Sequence, residues 1–292
     1  MNSRFSAAPD YDKVYGFRRG WMNLGYSDYE PIEGSPKPKI KYRELAESLA
    51  TRLAEIAGLT SGDVVVDVGC GYGVQDLHFL RIVPGLDIHA VNISAVQIEF
   101  ARKAYQRHSK DLQGRIHYSV GDAVCLPVED ALADKVLSLE SAFHYRTREK
   151  FFHEAMRVLK PGGSLALADV VITRQVQHLS YAWWDNFGFR ALRALTGWMQ
   201  VGVPEIPDEN FYDLSAYVMK LKSAGFVDVV VQNISDKVAL WPNRRFASMA
   251  PWWALLPMPF LHRSAQLGAF IPMFSNLSSQ YVLVTGKKPL AQ

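Results

Sequence analysis

The stretch 64–73, VVVDVGCGYG, constrains the fold more than any other part of the chain. Its valines make a strand buried on both faces. The glycines that follow make a turn where the backbone takes positive φ and lets a ligand approach closely. A helical pattern begins at Val74, and a strand that enters a helix through such a turn belongs to a layered α/β sheet. The glycines fall at Gly69, Gly71 and Gly73, a GxGxG spacing and not the GxGxxG that seats a pyrophosphate. An acid, Asp67, stands two positions before the first of them.

The rest of the chain fits that start. Leu45, Leu49, Leu53 and Ile56 share one stripe of a helix over 38–58, which Gly58 and the pair Ser61-Gly62 end. Short β-branched runs then alternate with helical patterns: strands at 64–68, 88–91, 116–120 and 136–139, with helices after Val74 and Ser94. A helix over 149–159, a tight turn at Pro161-Gly162-Gly163 and a strand at 164–168 complete the series. This is the rhythm of parallel strands joined by right-handed crossovers. It breaks after Asp169 and returns as a helix over 214–224, ended by Gly225, and strands at 227–231 and 281–284. Aromatic, proline-rich stretches at about 173–213 and 237–277 read as cap insertions in a main domain of 38–292. Residues 1–37 read as an N-terminal lid segment.

Composition excludes several classes. A chain of 292 residues buries a full core without metal or disulfide staples. Its cysteines, Cys70 and Cys125, have no zinc-ligand spacing, so no metal is expected and a reduced, cytoplasmic compartment fits. A net charge of +3 offers no electrostatic footprint for nucleic acid. The first residues lack an apolar signal-peptide core. The apolar stretch 249–274 is interrupted by Pro251, Pro257, Pro259, His262, Arg263 and Gln266, which argues against a transmembrane span. A cap over an apolar pocket, or a segment in contact with a membrane surface, suits it better. A homo-oligomer is compatible with the sequence, which sets neither the oligomeric state nor what Arg244 and Arg245 meet.

VVVDVGCGYG resembles motif I, D/ExGxGxG, of the class I S-adenosylmethionine-dependent methyltransferases. That resemblance implies a Rossmann-like α/β fold with a seven-stranded, mostly parallel sheet and S-adenosyl-L-methionine as cofactor. It assigns Asp67 to the cofactor's amino group, and Gly69, Gly71 and Gly73 to the backbone beneath its methionine and ribose. Asn92 ends the second strand, where an acid usually meets the ribose; an amide can both accept and donate. Asn92-Ile93-Ser94 with Gln97 is similar to the "S..Q" segment of the γ-tocopherol, sterol and cyclopropane-lipid methyltransferases, which places Gln97 at the ribose. The same residues read as a capping box, and both readings stay open. Gly121-Asp122-Ala123 before Leu126-Pro127 resembles the GDA..LP segment, which assigns Asp122 and Ala123 to the adenine; an Asp there also forms turns. YDKVYGFRRGWMNLGY, 11–26, looks like the lid of the same subgroup and puts Tyr26, then Tyr15, against the cofactor.

Glu140 to Tyr145 and the following FFHEAMRVLKPGGSLALAD are similar to natural-product O- and C-methyltransferases, including the rebeccamycin sugar type. His144 after the fourth strand and Asp169 at the end of the fifth both fall at the C-terminal edge of the sheet, where ligands of open α/β folds bind. Histidine ordinarily titrates nearest neutrality, so His144 is the candidate base for a hydroxyl acceptor, with Asp169 orienting its imidazole. Glu140 and Asp169 suit another chemistry, C-methylation of a prenyl or terpenoid alkene through a carbocation, aided by aromatic faces. Trp183, Trp184, Phe187 and Trp198 are candidates for the walls of a pocket for a small apolar acceptor. The reading is therefore methyl transfer to a hydroxyl of a small lipophilic natural product of secondary metabolism, with C-methylation as the alternative. A nicotinamide-dependent oxidoreductase is the distant rival, opposed by the glycine spacing and Asn92.

Overall fold

The structure, a computed structural model, describes residues 20–28, 40–108, 112, 114–173, 206–238 and 279–291. Tyr15, the pocket candidates Trp183, Trp184, Phe187 and Trp198, the pair Arg244-Arg245, and most of both cap insertions lie outside them.

Helix α1 (Tyr42–Ala57) buries the stripe Ala46, Leu49, Ala50, Leu53 and Ala54, and stops where Gly58 takes the left-handed conformation at φ 61°. Then come β1 (Val64–Val68), α2 (Val74–Ile82), β2 (Leu86–Asn92), α3 (Ala95–His108), β3 (Gly114–Val120) and β4 (Ala133–Leu139). A 3₁₀ turn, Ala142–His144, precedes α4 (Arg148–Val158) and β5 (Leu159–Ile172), and another, Asp208–Asn210, follows them. The chain closes with α5 (Leu214–Ser223), β6 (Val227–Asn233) and β7 (Ser279–Lys287).

Together the strands form one seven-stranded sheet in the order β3-β2-β1-β4-β5-β7-β6. β1 through β5 run parallel, and β7 is antiparallel to both β5 and β6. Pro161-Gly162-Gly163 corrects the expected turn. Leu159 already pairs with Ala133 and Ser164 with Lys135, so the glycines form a bulge opposite Asp134 inside a longer β5.

Alternate strand residues point to opposite faces, and each face carries its own core. Leu49, Leu53, Val65, Phe79, Ile88 and Ile98 join under α1, α2 and α3. Val66, Val136, Phe151, Val158, Leu165 and Leu221 join under α4 and α5. Burying such side chains stabilises by roughly 1.5–3 kcal/mol each. β1 lies between β2 and β4, so the strand order reverses beside it. A crevice opens outside the strand ends at such a reversal, and the ends of β1 and β4 therefore set the site. Among the described residues, no helix is long and apolar enough to cross a membrane.

Candidate active site

The turn after β1 is shaped by contacts that only glycine allows. Gly69, Gly71 and Gly73 hold φ of 79°, 56° and 71°. A Cβ at Gly69 would overlap Ser141 Oγ, one at Gly71 would overlap Met22 Cε, and one at Gly73 would stand 2.5 Å from the Tyr118 hydroxyl. Gly69 N and Cys70 N both donate to the Val91 carbonyl, at 2.8 and 3.2 Å, which fixes the turn against β2. Beneath it Asp67 is fully buried and its Oδ2 accepts from Gln75 Nε2 at 2.7 Å, while Oδ1 has no hydrogen-bond partner. Burial pushes the Asp67 carboxyl up to about 6. A glycine cradle over an orphaned acid suits a ligand that brings a cationic amino group.

At the end of β2 the structure separates the readings of Gln97. Its backbone N–H lies 3.4 Å from Ser94 Oγ, but its side chain does not reach back to close a reciprocal capping box. Gln97 Oε1 accepts instead from Asn92 Nδ2 at 2.6 Å, and Gln97 Nε2 faces Met22 Sδ at 3.8 Å. The buried amides of Asn92 and Gln97 are thus held as a pair beside the glycine turn. Asp122 Oδ1 accepts from Val124 N at 3.1 Å, so this acid forms the turn after β3, next to buried Ala123.

In the N-terminal segment one residue lies away from its expected place. Tyr26 donates its hydroxyl to Asp28 Oδ1 at 2.6 Å and lines an open groove with Glu47, Thr51, Arg52 and Lys237. Met22, four residues earlier, is the side chain that rests on Gly71 and Gln97. Of these two side chains, Met22 is the one at the turn.

The segment after β4 closes on the same turn. Glu140 is held at φ 52°, a left-handed conformation that costs a non-glycine residue about 1 kcal/mol or more. Its Oε1 accepts from Leu24 N at 2.7 Å and from the Tyr281 hydroxyl at 2.6 Å, so it ties residues 20–28 to β7. Burial pushes this carboxyl up to about 7. Ser141 packs on Gly69, and the Tyr145 hydroxyl donates to the Val68 carbonyl at 2.8 Å. Between them His144 ends the 3₁₀ turn, partly exposed, its ring 4.1 Å from that of Phe143. Asn210 Nδ2 donates to the carbonyls of Phe143 and Tyr145, at 3.0 and 2.8 Å, and so grips the backbone on either side of His144.

Asp169 does not orient that imidazole. Strand alternation turns it toward α4 and α5, where Oδ2 accepts from Arg148 Nε at 2.9 Å and from the Tyr217 hydroxyl at 3.0 Å. Its Oδ1 accepts from Val170 N at 2.8 Å, so both oxygens are engaged. The expected His144–Asp169 dyad is corrected to an Arg148–Asp169 ion pair, with Arg148 over the rings of Tyr212 and Tyr217 at 5.3 and 5.5 Å. Sequence reading missed Arg148, Asn210, Met22 and Asp76. Asp76 alone left a sequence signal, being an acid on the same buried helical stripe as Phe79 and Leu80.

Residues 66–167 match the family model described as a methyltransferase domain. The chain is 34% identical to erythromycin 3''-O-methyltransferase of Saccharopolyspora erythraea over 233 residues, 80% of this chain and 67% of that protein. It is also 34% identical to 27-O-demethylrifamycin SV methyltransferase of Amycolatopsis mediterranei over 249 residues, 84% of this chain and 85% of that one. The fold matches geranyl diphosphate C-methyltransferase from Streptomyces coelicolor A3(2), solved with S-adenosyl-L-homocysteine, at a TM-score of 0.62 and 20% identity, covering 96% and 93% of the two chains. These likenesses join the strand order and the glycine cradle to one conclusion: the chain belongs to the class I S-adenosylmethionine-dependent methyltransferases, among those of natural-product biosynthesis.

Proposed function

We propose that this enzyme methylates a hydroxyl of a small lipophilic natural product, with His144 as the base. The observation that carries the reading is the seating of the His144 turn, packed through Ser141 on Gly69 and gripped through Asn210. Both O-methyltransferases named above act on hydroxyls of elaborated natural products by their names, which supports the same acceptor class here. When bound, S-adenosylmethionine supplies a methyl already activated by its sulfonium. What remains for the protein is alignment and proton removal, and alignment alone is worth several kcal/mol.

In this reading Asp67 and the backbone of Gly69, Gly71 and Gly73 hold the amino-acid end of the cofactor. Asn92 and Gln97 meet the ribose, and Asp122 with Ala123 the adenine. His144 takes the acceptor's proton, while Trp183, Trp184, Phe187 and Trp198 wall the acceptor. The Glu140–Leu24 bond holds the lid down and keeps water from competing as an acceptor.

Replacing His144 by Gln tests it. Methyl transfer should fall ~10²-fold or more, with S-adenosylhomocysteine bound as before; undiminished transfer contradicts the role. One observation supports a second reading, methyl transfer to an alkene carbon: the Glu140 carboxyl stands at the end of β4 beside Tyr281, and an ionised carboxylate there would stabilise a carbocation. Under that reading His144→Gln is tolerated and Glu140→Gln is not.

A further inference from the structure

Below the glycine turn lies a carboxyl with no role so far. Asp76, in the first turn of α2, is fully buried, and neither of its oxygens has a hydrogen-bond partner. Its neighbour is Asp67, within side-chain hydrogen-bond reach, whose Oδ1 is orphaned as well. Three of the four buried carboxyl oxygens thus lack a hydrogen-bond partner, the Gln75 amide holds the fourth, and the Tyr118 hydroxyl stands within reach of Asp76. Among the described residues, no lysine, arginine or histidine acts on either group. The other titratable side chains facing them are the Cys70 thiol, on the turn itself, and the Tyr118 hydroxyl from β3. The Tyr145 hydroxyl, from the segment after β4, approaches Asp67. Burial pushes all three well up, so they are neutral near pH 7 and offer no counter-charge.

Two unscreened carboxylates in contact inside a protein cannot both stay ionised, and the usual solution is one proton shared between them. We infer that Asp67 and Asp76 hold a single shared proton in the free enzyme, and that docking of the cofactor's α-ammonium expels it to solvent. The inference rests on the cofactor reading above and adds Asp76 to that site. Balance is simple: one proton leaves the carboxyl pair for the buffer, one ammonium charge takes its place, and no bond to carbon or sulfur changes. The N-terminus of α2, whose first turn carries Asp76, favours the added negative charge. The directions agree, since burial raises Asp67 to about 6 and raises Asp76 as well. Cofactor affinity should accordingly rise with pH, ~10-fold per unit, over the range where the free pair still holds its proton.

Calorimetric titration with S-adenosylhomocysteine near pH 7, in buffers of different ionisation enthalpy, measures the proton directly. The expected result is ~1 proton released per molecule bound, with the release abolished in Asp76→Asn. A second measurement needs no variant: infrared difference spectra on addition of S-adenosylhomocysteine should lose the C=O band of a protonated carboxyl. Tight binding with buffer-independent heat, a retained carboxyl band, or release that persists in a folded Asp76→Asn enzyme overturns the shared proton and leaves the cofactor reading intact. Failure of S-adenosylhomocysteine to bind overturns both.

Discussion

Arg148 donates from Nε to Asp169 Oδ2 at 2.9 Å, and solvent reaches neither side chain appreciably. The pair links the start of α4 to the end of β5, and Arg148 NH1 continues to the Asn210 carbonyl at 2.7 Å. Removing one partner leaves a buried charge without compensation, at a cost of about 3–5 kcal/mol. Arg148→Met should therefore lower the unfolding free energy obtained from denaturant titration by that order, whereas the double variant Arg148→Met with Asp169→Leu should recover much of the loss. Asp169→Asn should destabilise while leaving the pH profile of methyl transfer in place. A shifted profile would restore Asp169 to the role of orienting the base.

Asn210 is expected to be a positioning residue. Its replacement by Ala frees the carbonyls flanking His144, with a stability cost of about 1–3 kcal/mol. At a temperature where the variant is folded, kcat should fall ~10-fold while KM for S-adenosylmethionine holds, the pattern of an interaction used in the transition state. Unchanged kcat in steady-state assays would make Asn210 a purely structural link.

Gly69→Ala meets two obstacles at once, a positive φ of 79° and the Ser141 hydroxyl where the new methyl must go. The backbone penalty alone is about 1–2 kcal/mol. Melting temperature should drop, and S-adenosylhomocysteine affinity should fall by more than ~10-fold, since the turn must move to make room. Calorimetry on the folded variant decides the second point.

Glu140 is raised by burial from 4.5 to about 7, so its protonated form is the one the fold favours. Its contribution is fully present below the unfolded value, is lost as pH rises through about 7, and is flat beyond. The ceiling on that loss is about 3 kcal/mol. Gln keeps an oxygen for Leu24 N and the Tyr281 hydroxyl and cannot ionise. Glu140→Gln should therefore gain stability relative to wild type between pH 5 and 8 in thermal melts, and equal slopes for the two proteins would refute the shift.

The sheet was legible because its signals are local: VVVDV reads as a strand, and Gly69 at positive φ ends it. The antiparallel direction of β7 was not read, beyond the mostly parallel sheet that the family resemblance implies, because strand direction is not written in the valines. At the site, Gly69, Gly71 and Gly73 could be read because close approach demands a missing side chain. Asp169 could not, because an acid at a strand end looks the same whether it serves a histidine or a buried arginine. Arg148, partly hidden in the charged run RTREK, gives no hint of being fully buried. Asn210 acts across 65 and 67 residues of chain, a distance no spacing rule spans.

The most direct measurement is to incubate wild type and His144→Gln with S-adenosylmethionine carrying a deuterated methyl, together with extract of the producing organism, and locate the label by mass spectrometry and NMR. The expected product bears the label on oxygen and is nearly absent with the variant. Label on carbon, formed equally well by both proteins, would contradict hydroxyl methylation by His144.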